Sequence, residues 1–212
     1  MIVGIFDSGI YNNHSDVTTN VDPTCSISVA DGSSNWQSSI PTEGFDHGTF
    51  VAATVAGQAN NSFCGLGVAY GATLGALKAT GEFASDVITS LGFQSNKIWI
   101  RNYSVGFAGC NASRYCQLDS ISQTVVNALE GSVTNGRTGK GSISVWAASN
   151  EGDNGGDTNM SGFTASRCNL AVAATGPNGV HASYSNLGAG VHVAAPGGGT
   201  QRSLHFWLKT LH

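Results

Sequence analysis

Phe45-Asp-His-Gly-Thr-Phe-Val-Ala-Ala-Thr-Val-Ala-Gly57 decides the reading of this chain. Val51, Ala52, Ala53, Val55 and Ala56 leave no polar face on the helix this stretch predicts, and a helix apolar all round is a buried one. His47 stands on its first turn, preceded by Asp46 and followed by Gly48, which lacks a Cβ and permits close backbone approach. An imidazole at the end of a buried helix is aimed from a rigid core into a cleft, which is how a general base is mounted. For any lone histidine the competing reading is a core side chain satisfied by a hydrogen bond.

Upstream, Ile2-Val-Gly-Ile-Phe-Asp-Ser-Gly-Ile10 predicts a short apolar strand ending in an acid and a glycine. Functional groups of parallel sheets collect at the carboxyl ends of strands. A carboxylate there can hold an imidazole in one tautomer and stabilise its charged form. Asp-Ser-Gly is also ordinary turn chemistry. The same opening is similar to that of glutamate racemases, but those enzymes need catalytic cysteines in their own contexts and have no use for the His47 helix.

Asp7, about forty residues, then Asp46-His-Gly-Thr-Phe-Val-Ala-Ala53 resembles the subtilisin-like serine proteases, or subtilases, whose triad runs Asp, His, Ser along the chain. Two later blocks agree. Ser142-Ile-Ser-Val-Trp-Ala-Ala-Ser-Asn-Glu-Gly152 reads as a buried strand running into the Asn that the family uses in its oxyanion hole, and Ser183 to Gly197 resembles the late family strand ending in Ala-Pro-Gly. The resemblance implies an α/β fold of three layers, a mostly parallel sheet with helices on both faces. It implies a serine endopeptidase domain over residues 1–199 in which Asp7 orients His47 and Asn150 stabilises the oxyanion. An oxyanion donor is worth about 10²–10³ in rate, a figure measured on subtilisin itself. On the residues alone, Asn150-Glu-Gly152 is equally readable as a turn.

Composition bounds the rest. The 212 residues fit one domain, and 41% hydrophobic residues can supply a core. Only 10% are charged, and the 29 glycines are roughly twice the usual frequency, which suits a tightly packed, loop-rich enzyme. The net charge is -4 and the basic residues are scattered, so there is no patch for a nucleic-acid backbone. No apolar run reaches the roughly 18 residues of a membrane helix. The cysteines are 25, 64, 110, 116 and 168; none has metal-ligand spacing, and Cys110 with Cys116 could close a small loop. Sequons at Asn13, Asn60, Asn102, Asn111 and Asn159 are compatible with a secretory route. Met1 leads straight into the first strand, whereas subtilases are usually made with a secretory signal and a propeptide. The expected protein is a secreted or secretory-pathway monomer whose natural front end this chain lacks.

Residues 11–44 are polar and turn-rich and predict a surface excursion. After the His47 helix, Gly57-Gln-Ala-Asn-Asn-Ser-Phe-Cys-Gly65 is packed with carbonyl and amide oxygens, the ligands a hard Ca²⁺ takes. A solvated Asn/Ser turn is the other reading. The resemblance implies a structural calcium held by Asp16, the Asn61 side chain and the carbonyls of Gln58, Phe63 and Gly65. Residues 72–79 predict a buried strand, 83–93 a helix, 97–106 a second strand, and the 3.6-residue period of 118–132 a helix covering the sheet. The family pairs an extended polypeptide substrate with backbone such as Ser104, Val105 and Gly106 by strand addition. Gly106 could equally do no more than end a strand.

Within the subtilases, Asn60 to Tyr70 and Gly141 to Ala147 are most similar to the kexin and furin branch, which cleaves after paired basic residues through acidic pockets. The chain departs from that branch: Ser8 stands where a second Asp is expected, Gly109 and Cys110 replace an acidic pair, and Ser161 replaces an Asp. Dibasic cleavage is therefore not expected. The nucleophile of the family lies in Gly-Thr-Ser at the start of a second buried helix, and the chain has no such motif. After Thr200 the character changes to Gln-Arg-Ser-Leu-His-Phe-Trp-Leu-Lys-Thr-Leu-His212, a tail unlike the family. Ser203 lacks the small neighbours a nucleophile needs, so the expectation is a subtilase domain cut short before its Ser. The alternative is a non-catalytic domain that binds extended peptides or a partner.

Overall fold

In the computed structural model, which describes residues 1–38, 46–63, 65–79, 83–106 and 118–198, the apolar runs become seven parallel strands. These are β1 (Ile2–Asp7), β2 (Ile27–Ser28), β3 (Thr73–Lys78), β4 (Ile98–Tyr103), β5 (Ile143–Ala147), β6 (Asn169–Thr175) and β7 (Val191–Pro196). They form one sheet in the order β2-β3-β1-β4-β5-β6-β7. The chain fills one side of β1 first and then crosses to the other, and such a reversal opens a crevice at the carboxyl ends of the strands.

Side chains alternate across a strand, so β1 feeds two cores. Val3 and Ile5 face α1 (His47–Ala56), packing with Ala52, Ala56, Leu74 and Ala76, while Phe6 faces the other way. By the same alternation, Asp7 lies on the α1 face. The opposite face is covered by α2 (Phe83–Gly92) and α3 (Gln123–Gly139), with Val87, Leu91, Val125 and Leu129 on Phe6, Leu77, Tyr103 and Trp146. A row of rings crosses this face. Tyr103 stacks on Trp146 at 4.2 Å between centroids, and Trp146 stacks on Phe163 at 4.7 Å. The fully buried Arg101 donates to the carbonyls of Ser90 (2.8 Å) and Phe93 (3.0 Å), satisfying the C-terminal end of α2. The architecture is the expected three-layer α/β one, a parallel sheet with helices on both faces.

The structure shifts some boundaries. α3 begins at Gln123, with the Ser122 hydroxyl capping Val125 N–H, and not at residue 118, because Leu118 is 83% exposed and Asp119 bridges to Ser161 instead. Residues 11–38 are more than a surface excursion: Val17, Cys25, Val29 and Trp36 are buried, and β2 extends the sheet. Cys25 and Cys168 are free thiols. Cys64, Cys110, Cys116, Gly109, Asn111, Ser203 and the tail from residue 199 lie outside the described residues. No helix among the described residues is long and apolar enough to cross a membrane.

Candidate active site

β1 delivers Asp7 to the carboxyl edge of the sheet, and α1 starts directly above it. Gly48 makes the approach possible: a Cβ there would stand 2.0 Å from the Gly9 carbonyl oxygen and 3.2 Å from Asp7 Cβ. Only glycine lets the first turn of α1 rest on the turn that follows β1. His47 Nδ1 consequently lies 2.8 Å from Asp7 Oδ1 and 2.9 Å from Oδ2. Asp7 is only 3% exposed, whereas the His47 side chain is 49% exposed. A buried carboxylate thus grips one side of a ring that reaches solvent. The Ser8 N–H donates to Asp7 Oδ1 at 2.8 Å and orients the carboxylate in turn.

This bond is the largest influence on the imidazole and raises its pKa above 6.5; partial burial opposes it, and the charges of Asp7 and Asp46 add to the rise. An acceptor on Nδ1 fixes the proton there in the neutral ring, which leaves Nε2 as the basic atom.

Ser104, Val105 and Gly106 continue from β4, beside β1, on this same edge. Asn102 Nδ2 donates to Ser104 Oγ at 2.7 Å, and Val105 packs onto the core, so the segment is held in place. A Cβ on Gly106 would meet Ser149 Oγ at 2.5 Å, so this segment touches the loop that follows β5. Asn150 opens that loop. It follows Ser149, whose φ of 79° is a left-handed conformation that a non-glycine residue adopts at a cost of about 1–3 kcal/mol. Two side chains outside the sequence candidates hold the loop. The Glu151 carboxylate accepts Asn150 N–H at 3.1 Å, and Asn186 Oδ1 accepts Glu151 N–H at 2.8 Å. Asn186 and Glu151 lie 35 residues apart in the chain, so no local pattern announces their pairing.

Asp16, Gln58, Asn61, Phe63 and Gly65 come together beside α1. Gln58 N–H donates to the Asp16 carbonyl at 2.8 Å, Asn61 Nδ2 to Asp16 Oδ1 at 2.8 Å, and Phe63 N–H to Asn61 Oδ1 at 3.0 Å. A Cβ on Gly65 would lie 2.9 Å from Asp16 Oδ2. Asp16 is buried, and the loop turns through positive φ at Asn60, Ser62 and Gly65. The buried Asp16 carboxylate is an oxygen ligand of the kind a hard cation takes, while Asn61 turns its amide nitrogen toward it and its oxygen toward Phe63 N–H. Among the described residues there is no group of three or more His, Cys, Asp or Glu, so an ion there would rest on the single Asp16 carboxylate and on oxygens of amides and carbonyls.

Asp119 is a further carboxylate that sequence reading passed over. Its backbone bridges to Ser161, its Oδ2 is buried with no hydrogen-bond partner among the described residues, and burial raises its pKa.

The profile described as "Subtilase family" matches residues 1–210. Furin-1 of Xenopus laevis is 34% identical over 178 residues, covering 82% of this chain and 22% of that protein. Furin-like protease 1, isoform 1-CRR, of Drosophila melanogaster is 31% identical over 183 residues, covering 84% of this chain and 16% of that protein. The chain thus spans less than a quarter of the length of either relative. The serine protease of Aeromonas sobria superposes with a TM-score of 0.76 at 23% identity, over 93% of this chain and 36% of that one, a likeness of fold.

Proposed function

This chain belongs to the subtilase family of serine proteases, and from that premise we propose that it is part of a serine endopeptidase catalytic domain that supplies the acid–base half of a triad. The observation that carries the reading is the bond of 2.8 Å between the buried Asp7 and the half-exposed His47. His47 takes the proton of an attacking serine hydroxyl and returns it to the leaving amine. Asp7 fixes the tautomer and stabilises the imidazolium while both transfers occur. Asn150 donates to the carbonyl oxygen as negative charge builds on it. The substrate is an extended polypeptide that adds as a strand along Ser104, Val105 and Gly106. A structural Ca²⁺ would be held by Asp16, Asn61 and the carbonyls of Gln58, Phe63 and Gly65, where it would neutralise the buried carboxylate and stiffen the loop. The place of action is the secretory pathway or outside the cell, as a monomer.

The nucleophile is the missing member: none of the 212 residues lies in a Gly-Thr-Ser context. We therefore propose that the chain by itself does not hydrolyse peptides. A second reading, favoured by the same observation, is a non-catalytic domain that binds extended peptides through the Ser104 segment. Reading the transcript beyond Gly199 separates the two. If a Gly-Thr-Ser frame continues, the longer product is labelled by a fluorophosphonate, and His47→Ala abolishes the labelling. If that product carries the motif and is not labelled, the protease reading fails. If no frame continues, immobilised extended peptides retain the chain and Gly106→Pro releases it.

A further inference from the structure

We propose that Asp46 is a positioning residue for His47, its carboxylate stitching the first turn of α1 to the turn after Asp7 through the hydroxyls of Ser8, Ser38 and Thr49. The inference rests on the reading of Asp7 and His47 given above.

Asp46 occupies the N-cap position of α1, where an Asp side chain ordinarily accepts from the backbone N–H groups of the first turn. Here it accepts none of them. Its oxygens take hydroxyl donors instead: Ser8 Oγ on Oδ1 at 3.0 Å, and Thr49 Oγ1 (2.5 Å) and Ser38 Oγ on Oδ2. Each hydroxyl has one proton to donate and lone pairs to spare. Ser8 Oγ uses its spare capacity to accept Gly48 N–H at 3.2 Å, and Thr49 Oγ1 accepts Tyr11 N–H at 2.7 Å. The stitches run in both directions. Through Ser8, the turn after β1 satisfies an orphan amide of the helix; through Thr49, the helix satisfies an amide of the turn.

The consequence for the site is geometric. Ser8 follows Asp7 and Gly48 follows His47, so the Ser8 stitch joins the residues adjacent to the pair. Both stitches depend on Asp46, because an ionised carboxylate can only accept and thereby fixes which way each hydroxyl points. Charge-assisted bonds of this kind are roughly twice as strong as neutral ones. Asp46 also acts on the imidazole through space, raising its pKa after the larger contribution of the Asp7 bond. Among the described residues, the other charged or titratable groups near Asp46 and His47 include Asp7, Lys78, which is paired with Asp7 in the sheet and donates to the Gln37 carbonyl at 2.8 Å, and the buried His14, whose pKa burial lowers while Asp16 and Asp46 oppose the fall. α1 carries no charged residue beyond His47.

The test uses the 212-residue chain with Asp46→Ala, Asp46→Asn and Asp7→Asn. Two readouts are taken: amide hydrogen exchange at Gly48 and Tyr11, and the pH profile of His47 carbethoxylation by diethylpyrocarbonate, resolved by peptide mass spectrometry with His192 on β7 as internal reference. Asp46→Ala should speed exchange at both amides by about tenfold, the equivalent of one lost hydrogen bond. It should also move the His47 profile to lower pH. Asp46→Asn keeps an acceptor and should restore much of the protection while leaving the profile low, a split that a general packing defect would not give. Unchanged exchange and an unchanged profile in folded Asp46→Ala overturn the proposal. If Asp46→Ala does not fold, an unchanged profile in Asp46→Asn overturns it instead. Should Asp7→Asn leave the profile unmoved, the Asp7–His47 reading itself has failed, an outcome distinguishable from failure of the role given to Asp46.

Discussion

Gly48→Ala places the whole site under strain with a single methyl group. Its Cβ would lie 2.0 Å from Gly9 O and 3.1 Å from Gly9 C, whereas non-bonded carbon contacts rest at ~3.5 Å or more. The obstacle is backbone, so rotamer changes cannot relieve it, and α1 must retreat by roughly 1.5 Å from the turn after β1. A retreat of that size breaks the 2.8 Å bond between His47 and Asp7. Overpacking costs ~1–3 kcal/mol, and losing a charged hydrogen bond costs ~1.5–3 kcal/mol. Alanine returns at most ~1 kcal/mol of helix propensity. The net destabilisation is about 1.5–5 kcal/mol. Gly131→Ala is the control, since Gly131 lies inside α3 with none of the described residues within 4 Å of its missing Cβ. That variant should gain up to ~1 kcal/mol. With a urea slope of ~2–3 kcal/mol/M, the unfolding midpoint should fall by about 1 M for Gly48→Ala and rise by about 0.3 M for Gly131→Ala. A Gly48→Ala midpoint equal to that of the unsubstituted chain, with His47 titrating as before, would refute the close approach and with it the cause assigned to the site geometry.

The remaining predictions concern charge. The folded pKa of His47 lies above its unfolded value, so the stability it contributes is fully present below pH 6.5 and is lost as pH rises through the folded value. Asp7→Asn should flatten that slope in a pH series of unfolding midpoints, and a slope that persists would assign it to another group. Asp119 is raised by burial, so its stability contribution is likewise present below pH 3.8 and lost as pH rises through the folded value. Asp119→Asn should therefore unfold later than the unsubstituted chain near neutral pH, the difference closing as the pH falls below 3.8; thermal melts in which the variant is less stable at pH 7 would contradict this. Calcium at a hundredfold excess over its Kd should add ~2.7 kcal/mol to folding. Asp16→Asn should abolish that gain, and equal melting points in calcium and in chelator would remove the ion from the account.

Much of the fold was legible because its signals are local. The run Ile2–Asp7, the all-apolar face of α1 and the alternation in β4 each declare their element within ten residues. β6 was legible in principle, with Asn169, Ala171 and Ala173 buried in alternation, but its small side chains give a faint period. The start of α3 was misread because Leu118 and Ile121 extend the helical period by coincidence, while Ser122 is the better boundary signal, a hydroxyl before the first turn. The buried anchors of residues 11–38 were hidden among polar neighbours. Val17 and Trp36 are each isolated, and single apolar residues carry no periodicity, while the alternation of Cys25, Ile27 and Val29 with Ser26 and Ser28 is only five residues long.

The site divides along the same line. Asp7 and His47 could be paired from sequence because their chemistry restricts what an acid at a strand end and a histidine at the start of an apolar helix can do together, although that helix buries only Gly48, Thr49, Ala52 and Ala56 and not all its faces. The groups that hold them could not. Asp46 reads as an ordinary N-cap, and its hydroxyl partner Ser8 lies 38 residues away. Asn186 clasps the Asn150 loop from 35 residues downstream. Such supports are selected by geometry rather than by residue type, since any short hydroxyl or amide could serve if the backbone delivers it. Ser8 shows what such a support does: one hydroxyl bound to Asp46 at 3.0 Å also accepts Gly48 N–H, joining the residues adjacent to Asp7 and His47. Asp46, the N-cap just before His47, adds its charge to that of Asp7 beside the imidazole.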